Sequence, residues 1–184
     1  KIQNKSFSKI LQSDKFNNDI FMKKILDFFN ESNINLNDIS YILVNQGPGN
    51  FSGLRGSLAT AKGISLSKNL QLFGYNTFLW SCSKFINNKN PVYSLLKFRE
   101  KYFVKKFDNN LSSSSKVKQV TEDEIINNYR DEFKVILRAA TKYFDDRILK
   151  LNNLNMVELD HNELEFLKIK GLLDKDLIKP LYLS

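Results

Sequence analysis

The 184-residue sequence holds a single cysteine, Cys82, and a single histidine, His161. One cysteine forms no internal disulfide, and the two residues together fall short of the three or four ligands of a zinc site, so no metal is expected. One histidine also excludes a His-Glu-x-x-His metalloprotease, which sets two histidines on one helix face. Cys82 is read as packing and His161 as a residue near a helix start. Proline is scarce, at three residues, and no apolar run approaches the ~20 residues that span a bilayer. The opening Lys1-Ile2-Gln3-Asn4-Lys5 lacks the apolar core of a secretory signal, so a cytoplasmic protein without a membrane anchor is expected.

What is present suits a globular chain. Hydrophobic residues make up 42% and charged residues 26%. A chain of this length buries enough surface for one medium domain or two small lobes without staples. The net charge is +8. The basic residues are scattered, with no recognition helix and no interleaved basic and aromatic stripe. A solvated basic surface is the plainer reading, and weak electrostatic help in approaching a nucleic acid is the alternative.

Periodicity places an amphipathic helix over Asp14 to Ser32, with Ile20, Phe21, Met22, Ile25, Leu26, Phe28 and Phe29 giving an apolar face too wide for packing on one side. Tyr41 to Val44 reads as a strand buried on both faces. A glycine turn follows, then a helix from about Leu54 to Lys68 and a strand over Leu70 to Phe73, the order of a parallel crossover unit. Beyond residue 90, Val92 to Phe98, Tyr102 to Phe107 and Lys116 to Val120 resemble a meander. Thr121 with Glu124 is a capping box opening a short helix. Phe133 to Leu137 is a buried strand, and Asp160 with Glu163 opens a helix through about Lys170. Pro180 makes the tail extended. The expected division is 1–80 and 81–184.

Five of the seven glycines fall between Gly47 and Gly63. A glycine turn feeding a helix N-terminus offers free amides and a positive dipole, which suits an anion. The spacing is not that of a Walker loop, because Gly53 is followed by Leu54 and Arg55 rather than Lys and Ser or Thr. Nor is it the dinucleotide fingerprint, since Gly47, Gly49 and Gly53 are one residue too widely spaced. Two readings stand: anion contact, or a tight turn in which Phe51 plugs a core and Ser52 caps the helix.

The helix after this loop carries Gly53, Gly56, Thr60, Gly63 and Ser67 at spacings of three and four. An interior glycine costs ~1 kcal/mol against alanine in a helix. Close approach of another helix offsets such a cost, either within the chain or from a partner. The surplus apolar face of the first helix favours a partner.

The segment GPGNFSGLRGSLATAKGISLSKNLQLFGYNT resembles the signature stretch of the TsaB (YeaZ-like) family, GPG-x-F-(S/T)-G-L-R followed by A-x-A-K-G. Gly47, Pro48, Gly49, Phe51, Ser52, Gly53, Leu54, Arg55, Ala59, Ala61, Lys62 and Gly63 fall in step with it. Leu36-Asn37-Asp38-Ile39, the Gly74–Thr77 turn and the Pro180-Leu181-Tyr182-Leu183 ending are also similar, and Arg99 stands where the family has a strand arginine. The resemblance is dense over 36–78 and thin after 85. It implies an α/β, two-lobed fold of the actin-like ATPase (ASKHA) kind. It also implies a non-catalytic subunit, without a cofactor of its own, for threonylcarbamoyladenosine modification of tRNA. The implied partners are the catalytic subunit TsaD, met through the N-terminal-lobe helices, and the ATPase TsaE. The same face allows a homodimer, and tRNA is met only indirectly. Met22, Ile25, Phe28, Phe29, Gly56, Thr60, Gly63 and Ser67 would form the partner face. Gly47, Pro48, Gly49, Phe51, Ser52, Gly53 and Arg55 would form the glycine loop.

There are departures from the family pattern. Its opening hairpin has no counterpart before the first helix, which, with Lys1 in place of Met, suggests truncation or a different start. Its His-Ser-Glu on the first helix appears as Asn17, Asn18 and Asp19. Lys97 replaces the aspartate before Arg99, and no second glycine turn follows Leu137. The alternative is an active actin-like kinase or ATPase, which would need two phosphate-gripping turns and metal-binding carboxylates. Asp145-Asp146 reads instead as a solvated pair. A protease role lacks its chemistry. A module that binds tRNA by itself would show strongly salt-dependent affinity.

Overall fold

The computed structural model describes residues 7–9 and 18–183. The expected helical turn at Asp14–Asn17 and the site of the family's opening hairpin before it lie outside the described residues, as does the leader reading at Lys1–Lys5. The chain forms two compact units, one running to Gly74 and taken up again from Asp174, the other spanning Tyr75–Leu173. The expected limits of 1–80 and 81–184 differ from this, because the tail packs with the first unit.

In the first unit, α1 (Asn18–Glu31) leads through a 3-10 turn at Leu36–Asp38 to β1 (Tyr41–Asn45). The 3-10 turn is fixed by a reciprocal cap between Asn35 and Asp38. Then come α2 (Phe51–Lys68) and β2 (Gln71–Tyr75), and β1 and β2 are neighbours in a two-stranded sheet. α2 ends at Asn69, which takes the left-handed conformation that asparagine tolerates, with φ 51°. Val44, Leu58, Ala61 and Ile178 form the buried cluster, with Ile42 and Leu72 against it. Of β1, only Val44 is fully buried. The expectation of burial on both faces fails, because Tyr41, Ile42, Leu43 and Asn45 all keep part of their surface exposed.

The second unit opens with α3 (Thr77–Cys82), capped by the Asn76 side chain on the Leu79 amide. β3 (Val92–Phe98), β4 (Lys101–Phe107) and β5 (Lys118–Val120) form the expected meander. Arg99 and Glu100, at φ 49° and 61°, make its first turn. Arg99 is thus a turn residue rather than a strand residue, since the tight hairpin needs two positive-φ positions there. α4 (Glu122–Asn128) has the Thr121–Glu124 capping box. β6 (Phe133–Leu137) runs parallel to β3, α5 (Asp146–Leu149) follows a 3-10 segment, and β7 (Leu154–Val157) runs parallel to β6. The sheet order is β5-β4-β3-β6-β7, and α6 (His161–Ile169) completes the unit. Its core combines Tyr93, Leu95, Tyr102, Val104, Ile125 and Ile136 among others.

Lys134, on β6, is fully buried. Its ammonium donates to the carbonyls of Tyr129, Arg130 and Glu132 at 2.7, 2.8 and 2.7 Å, in the turn that follows α4. Burial lowers its pKa, against the opposing pull of Asp131 and Glu132. Lys134→Met keeps the length but removes the buried donor that ties three turn carbonyls together, so a loss of about 3 kcal/mol is expected. Urea unfolding of the full chain measures it, and an unchanged midpoint would refute the capping role.

Candidate functional site

The glycine loop is built between β1 and α2. Asn45 at the strand end accepts a hydrogen bond from the Gly47 amide at 2.8 Å. Gly47 sits at φ +115°, a conformation open mainly to glycine, and the Gly47–Pro48 peptide is cis. A Cβ on Gly47 would meet the Leu181 carbonyl oxygen and Leu54 Cδ1, both at 3.0 Å. Leu181 donates its amide to the Gln46 carbonyl at 2.7 Å, and Gln46 Nε2 donates to the Lys179 carbonyl at 3.0 Å. The tail is thereby fastened across the strand end.

The helix cap differs from the expected one. α2 begins at Phe51, and its cap is Asn50, whose Oδ1 accepts from the Gly53 amide at 2.6 Å. Ser52 therefore stands in the first helical turn, exposed, and does not cap. Asparagine takes the role because it alone precedes the helix with an extended backbone. Gly53 is needed for closeness, since a Cβ there would lie 2.7 Å from Asn50 Oδ1. Its amide is already used by this cap, and is not offered to an anion.

Phe51 does not plug a core. It is 50% exposed, stacks on Tyr182 with centroids 5.2 Å apart, and carries the Arg55 guanidinium 4.5 Å from its ring centre. Leu54 fills the space beneath the loop instead, packing beside Gly47 and Gly49.

Gln46 escaped the sequence reading, having only its place before the glycines to mark it. It is buried, and its Oε1 accepts no hydrogen bond from the described residues. That oxygen lies where a Cβ on Gly74 would come within 2.4 Å, so Gly74 is required for the approach.

The proposed partner face divides. A cavity of about 310 Å³ lies among α1, α2 and β1, with Phe21, Ile25, Phe29, Thr60 and Ile64 in its lining. Ile25, Phe29 and Thr60 thus line a cleft that is partly open to solvent. Phe28 is half-buried, its ring 6.3 Å from that of Phe29. Met22 and Leu26 are exposed, at 38% and 39%, as is Leu66 on α2. Gly56 is half-buried, Ser67 is exposed with its hydroxyl on the Ile64 carbonyl, and Gly63 is exposed with nothing within 4 Å of a Cβ added to it.

The remaining candidates are structural. Cys82 is buried, and burial pushes its thiol up to about 12, which keeps it protonated and unreactive. His161 begins α6. Asp145 caps α5 and joins Arg147, Glu122 and Asp123 in a surface ion network, so it does more than decorate the surface. Among the described residues no group of His, Cys, Asp or Glu could hold a metal, and no helix is long and apolar enough to cross a membrane.

Over residues 13–132 the chain matches the family model described as TsaD: tRNA N6-adenosine threonylcarbamoyltransferase. It is 38% identical over 65 residues to the tRNA threonylcarbamoyladenosine biosynthesis protein TsaB of Buchnera aphidicola subsp. Baizongia pistaciae (strain Bp), a stretch covering 35% of this chain and 29% of that protein. To the protein of the same name in Buchnera aphidicola subsp. Schizaphis graminum (strain Sg) it is 38% identical over 56 residues, covering 30% and 25%. The matched segment thus spans 29% and 25% of the curated relatives' lengths. Among solved structures, an uncharacterized protein with similarity to peptidase YEAZ from Pseudomonas aeruginosa aligns with a TM-score of 0.61 at 11% identity, over 92% of this chain and 85% of that one. YeaZ from Pseudomonas aeruginosa aligns at 0.60 and 12% identity, with the same coverage. At such identities the likeness is one of fold.

The loop geometry makes a stability prediction. Gly47→Ala forces a strained φ and crowds both Leu181 and Leu54, so a loss of about 2 kcal/mol is expected in urea unfolding of the full chain. A variant as stable as the parent would show that the tail does not press on the loop.

Proposed function

The chain belongs to the TsaB/YeaZ family, within the wider family described as TsaD: tRNA N6-adenosine threonylcarbamoyltransferase, and from that premise we propose a function for it. It is a non-catalytic subunit of the machinery that makes threonylcarbamoyladenosine in tRNA, binding and supporting the catalytic subunit TsaD in the cytoplasm. The observation that carries this is the open small-residue surface of α2, together with the exposed Met22 and Leu26 of α1. Gly63, with free space over its Cα, admits a partner helix at backbone distance, and Ser67 continues that low surface. The interior glycines of α2 are helix-weakening, and a docked helix would offset that cost.

A supporting rather than catalytic role has a second argument. The one glycine loop spends its Gly53 amide on Asn50 and its Gly47 amide on Asn45. Neither amide remains to grip a phosphate, which actin-like catalysis would require. The two compact units, each with its own sheet, and the likeness to YeaZ structures support the two-lobed actin-like reading. TsaE would join the TsaD pair, and a homodimer through the same surface would form when TsaD is absent.

The test uses Gly63→Trp. Among the described residues, no atom outside the helix's own neighbouring backbone lies within 4 Å of the added Cβ, so the variant is expected to fold, with an unchanged circular dichroism spectrum. Co-purification with TsaD is expected to fall at least tenfold, and threonylcarbamoyladenosine formation in a reconstituted assay to fall with it. A folded variant that pairs with TsaD at unchanged affinity would overturn the assignment of this surface.

A further inference from the structure

The net charge of the second unit is sharply divided along its chain. Residues 84–118 hold nine lysines and arginines against two acidic residues, whereas residues 119–173 hold eight against eleven. Seven of these nine cations, from Lys97 to Lys118, lie on the β3–β4 hairpin, the serine loop and the start of β5, and β5 is one edge of the five-stranded sheet. Cations that look scattered in sequence are therefore gathered along one border of the unit.

Their placement is ordered. Lys105 stands opposite Ser94 and Lys106 opposite Tyr93, so the two point to opposite faces at the same end of the hairpin. Lys118 is paired with Val104 on the edge strand, and Arg99 and Lys101 are at the hairpin tip. Where β5 stops, the serine loop takes over as neighbour of β4. The Ser114 amide donates to the Lys106 carbonyl, and the Lys106 amide donates to Ser115 Oγ at 3.1 Å. This pins Ser112–Lys116, all exposed, beside Lys105 and Lys106.

Aromatic rings hold several of these cations in place. Lys106 Nζ lies 5.4 Å from the Tyr93 ring centre, Lys105 Nζ 5.3 Å from that of Phe107, and the Arg99 guanidinium 5.3 Å from that of Phe98. A cation held by an aromatic face loses less freedom when it meets an anion. Within this border Lys97 pairs with Glu100 and Lys118 with Glu124, which leaves a large excess of positive charge.

We propose that this border of the second unit, formed by Arg99, Lys101, Lys105, Lys106, Lys116 and Lys118, contacts the phosphodiester backbone of the tRNA directly. The proposal rests on the function given above for its choice of RNA. It departs from the expectation that tRNA is met only indirectly. A row of cations on both sides of a sheet edge, with serine hydroxyls as extra donors, suits a repeating polyanion and reads no base sequence. Affinity then comes from counterion release and falls steeply with salt.

The experiment measures binding of the full chain to an unmodified, fluorescently labelled tRNA transcript by anisotropy between 50 and 200 mM KCl, conditions in which about 10³-fold or larger changes accompany several phosphate contacts. Micromolar affinity at the lowest salt is expected. The triple variant Lys101→Gln, Lys106→Gln, Lys116→Gln should bind at least tenfold more weakly, with a log–log salt slope shallower by roughly two. The charge-matched variant Lys142→Gln, Lys150→Gln, Lys170→Gln, from the acidic part of the unit, should stay within twofold of the parent. Equal losses in both variants would reduce the effect to net charge and overturn the proposal, as would absence of binding by the parent at the lowest salt. Both variants should co-purify with TsaD as the parent does. If only the first loses TsaD, the border is a protein interface and the proposal fails. If TsaD pairing is absent throughout while RNA binding divides as expected, the contact stands and the subunit reading falls.

Discussion

The tail crossing β1 is the constraint on which the first unit turns. The Leu181 amide meets the Gln46 carbonyl and the Gln46 side chain meets the Lys179 carbonyl, while Ile178 enters the core with Val44, Leu58 and Ala61. A second fastening, Gly74 with Asp174, exchanges two backbone hydrogen bonds at 2.8 and 2.9 Å. Glycine at positions 47 and 74 follows from this crossing. At Gly47 the Leu181 carbonyl and Leu54 occupy the space of a side chain, and at Gly74 the Gln46 amide does. The glycine loop is shaped by the Lys179–Leu181 segment that crosses it.

From that loop α2 acquires two unlike sides. Leu54, Leu58 and Ala61 are buried, which fixes the helix on its strand. The opposite side carries the open Gly63 and Ser67, with Leu66 84% exposed near them. Burial of three aliphatic side chains at ~25 cal/mol per Å² of apolar surface supports a helix that its glycines weaken. The open side can stay small because the helix does not need it for folding. Such a division is what a docking surface requires: a scaffold held from behind and a face without bulk.

The second unit shows the same economy with charge. Lys134 spends its ammonium on three carbonyls at the end of α4, and Arg147 gathers Glu122, Asp123 and Asp145 around it. These cations are consumed in holding turns and helix ends together. On the β3–β4–β5 border, Arg99, Lys105 and Lys106 lie over aromatic rings instead. The net charge of the chain therefore understates how unevenly its field is distributed.

The sequence alone determined the elements with strong local signals. β3 and β6 follow their apolar runs, α4 its Thr121–Glu124 box, and the helix after the glycines ends at Lys68 as expected although it starts earlier, at Phe51, since these depend on neighbours a few residues away. The motif from Gly47 to Gly63 also carried the family. β7 escaped notice because its short, asparagine-broken run becomes a strand only by pairing with β6. The tertiary structure decided that Asn50 rather than Ser52 caps α2, and that Leu54 rather than Phe51 fills the loop. It also decided that Thr60, Ile25 and Phe29 line a partly open cleft in their own unit while Gly63 faces outward. Composition and spacing specify which side chains share a helix face. Which face meets the chain's own tail, sheet or neighbour depends on contacts between distant residues, and no local pattern encodes those.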